Sequence, residues 1–587
     1  MLITPSESPQ GSFRSSRNPW VFGVLWLIVI TLGVLMIAQL PQSQLLTDPF
    51  LQLPTANAVR VVWFTEFPGI EHRVIYGEQF QENAQANTTQ LSRTYEDQDS
   101  YVGVQTKDNK IYTKPVRRPI WRHEAEIQGL TPGIKVPYQV TSTMETGQTI
   151  SSKPFTLAPN PQPGTPLKIL LTSDHQLKPM TATNLQKMIE TVDQLDAIFV
   201  AGDLVNIPDR ASEWFDDNRG GAFFPVLQGR AHYKLEKDGV TTLYTGGELI
   251  QHIPLFPAIG NHEVMGRFSP EKSLNEQFND PYPRALVEKA YGSNLDQTEL
   301  KNYTFNSDTY SEIFSLPDKK KNYYAVTFGD VRLIALYITN IWRTPNLGQD
   351  ARGKYRERDQ DFNQMKNWGY GQHIFEPIQP GSPQYTWLQQ ELESPEFQRA
   401  KYKIVMFHHP PHSLGDNIVP PYTNPVQFTE QDGSGQIKMI RYEYPKQQDY
   451  IIQDLMPLLE KAGVQLVYYG HSHLWNRFIS DRGLHFLESS NVGNTYGAYL
   501  GKKRRFIPPA FTEAYSAVGD PNGLKPIMPT LKPLTGKDGK PQPYIASNDI
   551  TAFSILDTGS GTVSSYYFDT QAPNSSVIKF DQFQLKS

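Results

Sequence analysis

Four short stretches carry the residues able to do chemistry: Gly202-Asp203, Gly260-Asn261-His262-Glu263, His408-His409-Pro410 and Gly470-His471-Ser472-His473, with Asp174 and Gln176 ahead of them. Together they supply carboxylates, amide oxygens and imidazoles, each at the end of an apolar β-like run. Oxygen donors suit hard cations and imidazole suits borderline ones. A mixed Asp/Asn/His set is therefore what a pair of catalytic metals needs to hydrolyse a phosphoester. Each stretch alone is commonplace; their order, each after a strand, carries the reading. No better nucleophile competes, since the 587-residue chain has no cysteine and no Gly-x-Ser-x-Gly.

The apolar runs that must position these residues alternate with helical patterns. Residues 167–172 read as a buried strand, 182–195 as an amphipathic helix and 197–201 as a second strand. Later strands end at Gly260, His408 and Gly470, the last two preceded by helices near 385–392 and 450–461. This alternation, with the polar residues on loops after the strands, predicts an α/β sandwich. Long polar and aromatic insertions interrupt it near 207–250, 264–321 and 339–381, and a fourth runs from His412 to Tyr444. Toward the end, runs at 550–556 and 562–569 flank Asp557-Thr558-Gly559-Ser560-Gly561, a hairpin signature.

Ahead of this region, over 47–157, the pattern is all-β. Residues 58–64 and 72–77 read as strands around a Pro68-Gly69 turn. Leu130-Thr131-Pro132-Gly133 followed by Tyr138 resembles the tyrosine corner of fibronectin type III domains, where the phenol pins a corner of a β-sandwich. The Pro-rich stretch 158–166 predicts a stiff, extended linker at a domain boundary.

Residues 21–40 form a charge-free apolar run about as long as a bilayer-spanning helix. Arg14 and Arg17 precede it, and Asp48 is the one charge between it and Phe50. The expectation is a cytoplasmic tail over 1–20 and an N-terminal transmembrane anchor, with the catalytic part extracytoplasmic, in the periplasm or outside the cell. A cleaved signal peptide, which would make the protein secreted, is the rival. A formal charge of −5 provides no basic stripe and argues against nucleic acid as a partner. The missing cysteines exclude disulfides, iron–sulfur clusters and thiolate zinc sites.

Taken in order, the polar stretches resemble the calcineurin-like metallophosphoesterase superfamily. Its pattern runs Asp-x-His, Gly-Asp, Gly-Asn-His-Asp/Glu, a lone His after a strand, and Gly-His-x-His. With the β-region in front, and with Gln384-Tyr385-x-Trp387-Leu388, the chain looks more narrowly like the purple acid phosphatase branch over residues 50–570. The resemblance implies a fibronectin III-like β-sandwich followed by a four-layer α/β sandwich over 167–575. It also implies two divalent or trivalent metal ions (Fe, Mn or Zn) and a small phosphate ester as substrate. The implied ligands are Asp174, Gln176, Asp203, Asn261, His408, His471 and His473. Asp203 would bridge both ions; Asn261, His408 and His471 would complete one position, and Asp174, Gln176 and His473 the other. His262 would face the substrate and steady or protonate the leaving oxygen, with Glu263 orienting its imidazole from behind. His409 is expected to pack or to support a ligand, and His412 either lines the pocket or is solvated.

Two positions depart from the family pattern. Asn206 stands where purple enzymes carry the tyrosinate of a Gly-Asp-x-x-Tyr motif. Gln176 stands where most of the superfamily has histidine, and the neighbouring His175, on an extended strand, would point the other way. The expected activity is hydrolysis of phosphate esters by a metal-activated hydroxide. Monoesters are the first reading and diesters by the same mechanism the alternative. A catalytically weak surface protein that binds phosphorylated ligands is a third, and a metal-dependent nuclease is disfavoured by the acidic balance.

Overall fold

Alternation in Val59–Thr65 explains how the N-terminal part is attached. In the computed structural model, Val59, Val61 and Trp63 enter one core while Val62 and Phe64 enter another. A strand with period two thereby buries both its faces. The structure describes residues 45–585 apart from 104, 106–111, 293–294, most of 340–375, 413–420, 493–521, 536–538 and 540. Two antiparallel sheets make up the β-region. One runs Phe50–Gln52, Val59–Thr65, Trp121–Ile127, Asn87–Gln90; the other runs Thr149–Ser151, Val136–Thr143, Glu71–Tyr76, Glu82–Gln85, with Phe155–Leu157 on Val136–Thr143. Trp63, Ala125 and Ile127 meet Val74, Val140 and Leu157 between them.

The outer face of the first sheet is covered by the rest of the chain. Phe50, Val62, Phe64 and Ile120 share a core with Trp214, Phe224 and Phe314. Tyr138 corrects the tyrosine-corner expectation. Its phenol donates across 2.7 Å to the carbonyl of Gln251, far along the chain, and so fastens the β-region to the α/β part instead of pinning its own corner. The Pro-rich stretch is fastened too, Asn160 Nδ2 donating to the Thr327 carbonyl and the Gly164 amide to Asp330. From Leu45 onward the chain is one compact unit.

Two sheets lie face to face in the α/β part. The first has the order Leu255–Pro257, Ala197–Val200, Lys168–Thr172, Ile550–Asp557, Thr562–Asp569, Ile578–Gln584; its first three strands are parallel and the rest form an antiparallel meander. The strand Ile578–Gln584 carries this sheet past residue 575, beyond the domain end expected from the sequence. In the second sheet Val331–Ala335, Tyr402–Met406, Leu466–Tyr469 and His485–Ser489 are parallel neighbours. Ile404, Met406, Leu466 and Tyr468 face the first sheet, whereas Val405, Val467 and Tyr469 face helices Pro383–Leu392 and Met456–Ala462 through Leu388, Leu392 and Leu459. Helix Thr181–Thr191 packs on the first sheet through Leu185 and Met188.

Three of the insertions are, over their described residues, more ordered than their composition predicts, and most of the one near 339–381 lies outside the described residues. Residues 207–250 hold helices Ala211–Phe215 and Phe223–Leu227 and the hairpin Tyr233–Lys237/Val240–Tyr244. The described residues of 264–321 hold four α-helices, and Val426–Gln431 pairs with Ile437–Glu443. The tail over 1–20 and the apolar run at 21–40 lie outside the described residues. Among the described residues no helix is long and apolar enough to cross a membrane.

Candidate metal centre

All the singled-out loops leave the C-terminal ends of parallel strands. Asp174 and Gln176 follow Lys168–Thr172, Asp203 follows Ala197–Val200, and Asn261 follows Leu255–Pro257, all in the first sheet. His408 follows Tyr402–Met406, and His471 and His473 follow Leu466–Tyr469, in the second. Strand ends of this kind are where open α/β sheets place their sites. Here the two sheets contribute from either side of one seam.

The loops reach one another through tight backbone. Gly202 has φ +93°, and a Cβ there would stand 2.7 Å from the Gly260 nitrogen and 2.9 Å from His408 Nδ1. Of ten described non-glycine residues with positive φ, six are Asp174, Gln176, Leu177, Asp203, His471 and His473. Each such residue costs about 1–3 kcal/mol, so the strain is concentrated where side chains must be aimed. The turn that separates the two imidazoles of the Gly-His-Ser-His stretch is made by His471 and His473 themselves, at φ 81° and 55°, and not by Gly470.

Four buried donors converge. His408 Nε2 lies 3.1 Å from Asp203 Oδ2, 3.1 Å from Asn261 Oδ1 and 3.1 Å from His471 Nδ1, and His471 Nδ1 lies 3.0 Å from Asn261 Oδ1. The tautomer of His408 is set from behind, because its Nδ1 donates to the Ala201 carbonyl at 2.7 Å and leaves Nε2 facing the cluster. A cation about 2.1 Å from each of several neighbouring donors in octahedral array sets them about 3.0 Å apart. The observed spacings fit such an ion. Among the described residues, Asp203, His408 and His471 form a group of three whose ligand atoms all lie within 4.8 Å of one another.

The electrostatics of the cluster favour positive charge. Burial opposes the charged form of His408, yet the Asp203 carboxylate beside it and their hydrogen bond push the imidazole up to about 10. Burial alone would raise the Asp203 carboxyl, but His408, His262 and His471 hold it well below the carboxylate range. A field that holds a proton this firmly also holds a metal cation, with which the proton competes. His471, depressed by burial and by His408, is neutral, the form in which imidazole ligates.

Beside it lies a second, poorer set. Asp174 Oδ1 is 3.3 Å from His473 Nε2, and the Asp174 carboxylate also accepts the His471 amide at 2.9 Å. Gln176 Nε2 donates to Asp203 Oδ2 at 3.2 Å, while its buried Oε1 has no hydrogen-bond partner. A buried amide with its nitrogen on the Asp203 carboxylate and its oxygen unpartnered can, by turning about its last torsion, offer that oxygen to a cation beside Asp203. His175 turns away, Nε2 on Thr172 Oγ1 and the ring near Phe223, with burial lowering it to about 4. The cause is the left-handed turn at Asp174 and Gln176, not the alternation of an extended strand.

His262 is half-buried, at the edge of the cluster, with Nδ1 donating to the Asn206 carbonyl at 2.7 Å and its ring against Phe278. Glu263 is placed differently from expectation. Its carboxylate accepts the amides of Asp203 (2.9 Å), Leu204 (2.7 Å) and Gly260 (2.8 Å), tying two strand ends together, and Asn206 takes the place behind the imidazole. Burial and the Asp203 charge push the Glu263 carboxyl upward against those three donors. His409 is buried against Tyr422. His412 is buried on Glu488 at 3.2 Å, which corrects the expectation of a solvated loop histidine.

A family profile, the calcineurin-like phosphoesterases, matches residues 167–474. The chain belongs to this family. This phosphoesterase is therefore a hydrolase of phosphoric ester bonds and metal-dependent. No curated protein matches its sequence. Among solved structures it is similar to a purple acid phosphatase from yellow lupin (Lupinus luteus) seeds, with TM-score 0.50 and 15% identity over 91% of this chain and 73% of that one. It is also matched with PhoD, at TM-score 0.44 and 10% identity over 92% and 93% of the two chains. The lupin likeness speaks to the fold: a β-rich N-terminal region and a mixed α/β part.

Three supporting residues of the phosphoesterase escaped the sequence reading. Glu488, fully buried, accepts the Ser472 amide at 2.8 Å and shapes the His471–His473 turn. A lone carboxylate inside the apolar strand His485–Ser489 was the available signal. Glu213 accepts the amides of Asn206 and Ile207 and pairs with the buried Arg210. Lys178 reaches Asn206 Oδ1. Neither of these two stands in a recognisable motif.

Proposed function

We propose that the phosphoesterase acts first on phosphomonoesters, using two ions held by Asp203, Asn261, His408 and His471 on one side and by Asp174, Gln176, Asp203 and His473 on the other. The observation that carries this is the convergence of buried carboxylate, amide and imidazole donors at about 3 Å spacing beside a half-buried His262. Such ions supply Lewis acidity and lower the pKa of water, which is the chemistry of two-metal hydrolases. Two ions of charge +2 or more, set against the carboxylates of Asp174 and Asp203, leave a centre of about +2 or above, matched by a dianionic monoester better than by a monoanionic diester.

The chain's own residues complete the step. Asp203 accepts the His262 amide at 2.9 Å on Oδ1 while Oδ2 faces His408 and Gln176, so one carboxylate joins both halves of the cluster. The Asn206 carbonyl keeps the His262 Nδ1 proton in place, so the proton available to a leaving alkoxide is the one on Nε2. Release of p-nitrophenol from p-nitrophenyl phosphate and from its bis-ester, with and without chelator, tests the reading. Faster turnover of the monoester, abolished by chelator, is expected. A preference for the bis-ester would overturn the monoester assignment.

A further inference from the structure

Beside the cluster stands a cation with little to do. Two consecutive left-handed residues, Gln176 at φ 41° and Leu177 at φ 54°, turn the chain so that Lys178 comes back toward Asn206. Lys178 is half-buried, and its Nζ makes one hydrogen bond, a long one of 3.5 Å to Asn206 Oδ1. The charges of Asp203, Asp174 and Glu213 reach it, yet none of them forms an ion pair with it among the described residues. An ammonium has three N–H donors, and a partly buried one with a single long contact leaves most of its capacity open.

Asn206 makes the placement specific. Its Nδ2 donates to the Gln176 carbonyl at 2.7 Å, its amide to Glu213 Oε2 at 2.7 Å, and its carbonyl accepts His262 Nδ1 at 2.7 Å. One rigid residue thus holds Lys178 by its side chain and His262 by its backbone. Glu213 is held in turn by Arg210, and Arg210 by Asp97 of the β-region at 3.0 Å. The bracket is therefore anchored in the β-region of the chain as well.

We propose that Lys178 is a substrate-binding residue of this centre, its ammonium taking a non-bridging oxygen of the substrate's phosphoryl group beside His262. Lysine binds phosphate as a compact point charge and needs no bidentate geometry, which suits a side chain entering from the rim. The inference rests on the phosphoester reading and extends it to a group outside the metal ligands.

The test uses the full-length chain loaded with Mn, inorganic phosphate as the probe, and Lys178→Met beside Lys178→Arg. Calorimetric titration reads phosphate affinity, and elemental analysis reads metal content. Lys178→Met should keep its metals, bind phosphate roughly 10- to 100-fold more weakly and raise KM for p-nitrophenyl phosphate by a similar factor, with a smaller fall in kcat. Lys178→Arg should recover most of the affinity. Unchanged phosphate affinity in Lys178→Met overturns the proposal, and so does loss of a metal equivalent from both variants, which would make the lysine structural. The two readings separate cleanly. Lysine-dependent phosphate binding by a chain that hydrolyses no ester supports Lys178 and overturns the hydrolytic assignment; hydrolysis with lysine-independent binding does the reverse.

Discussion

Replacing Gln176 by histidine should tighten one metal position and leave the other as it is. Gln176 Nε2 donates to Asp203 Oδ2 at 3.2 Å, and Oε1 has no partner. To offer its oxygen to an ion beside Asp203, the amide must turn about its last torsion and give up a hydrogen bond to a carboxylate. That bond is worth about 1.5–3 kcal/mol, or about 10- to 150-fold in affinity. An imidazole incurs no such loss and is the better donor to borderline ions. The set of Asp203, Asn261, His408 and His471 needs no rearrangement of this kind. Binding should therefore be stepwise in the wild type, one ion surviving dialysis and the other leaving first. Titration of Mn or Zn into stripped protein against a competing chelator, with retained metal counted, reads both constants. Gln176→His should close the gap by about 10-fold or more. Two ions of equal affinity in the wild type, or a gap that Gln176→His does not move, would refute the reasoning.

Other expectations follow from the same geometry. Asp203→Ala should lose both ions, because its Oδ2 lies between His408 of one set and Gln176 of the other; retention of either ion, read by elemental analysis, would refute the shared role. His262→Ala should keep its metal content and lose about 10²–10⁴-fold in turnover; a missing metal equivalent in His262→Ala would make it a ligand. Tyr138→Phe strands the buried Gln251 carbonyl and should lower stability by about 1–3 kcal/mol in urea unfolding with metal content unchanged; an unmoved midpoint would mean that this bond does not fasten the β-region. Burial, with the His72 ring stacked 3.6 Å away, holds His123 down to about 2. The unfolded chain takes up that proton near pH 6.5 and the folded one does not, so stability is whole above pH 6.5 and falls by about 1.4 kcal/mol per unit below it. His123→Gln should flatten the loss of thermal stability between pH 7 and pH 5, and an equal loss in both proteins would refute it.

Legibility in the sequence followed periodicity and chemistry. The strands Lys168–Thr172, Ala197–Val200 and Leu466–Tyr469 are apolar on both faces, as parallel strands between two layers must be, and their loops could be read from that. The hairpin Ile550–Asp557/Thr562–Asp569 followed from its Asp-Thr-Gly-Ser-Gly turn. The attachment of the β-region was not legible, because alternation shows that a strand has two faces but not which neighbour covers each. Tyr138 illustrates this: the Leu-x-Pro-Gly context was right for a corner, yet the acceptor its phenol found lies on a segment 113 residues away. The insertions misled through composition. In the one over 264–321 the polar residues are consumed in caps and ion pairs, as at Ser273, Asp296 and Arg267–Asp280, so high polarity there marks small helices and not open loops.

Glu263 shows most clearly where motif and fold part company. Chain adjacency suggests that a carboxylate beside His262 serves its imidazole, yet a turn of three residues, Asn261–Glu263, aims the carboxylate backward to where the end of Ala197–Val200 arrives. There it gathers three amides, among them that of Asp203, whose own φ of 55° is unfavourable without such support. The strain at Asp203 and the buried carboxyl of Glu263 are thus two halves of one arrangement: the carboxyl oxygens are kept in the seam by amides that need an acceptor, and those amides hold the strained loop in place. On this geometry Glu263 reaches the reaction through Asp203, and the fourth residue of the Gly-Asn-His-Glu stretch is tied to the second residue of Gly202-Asp203.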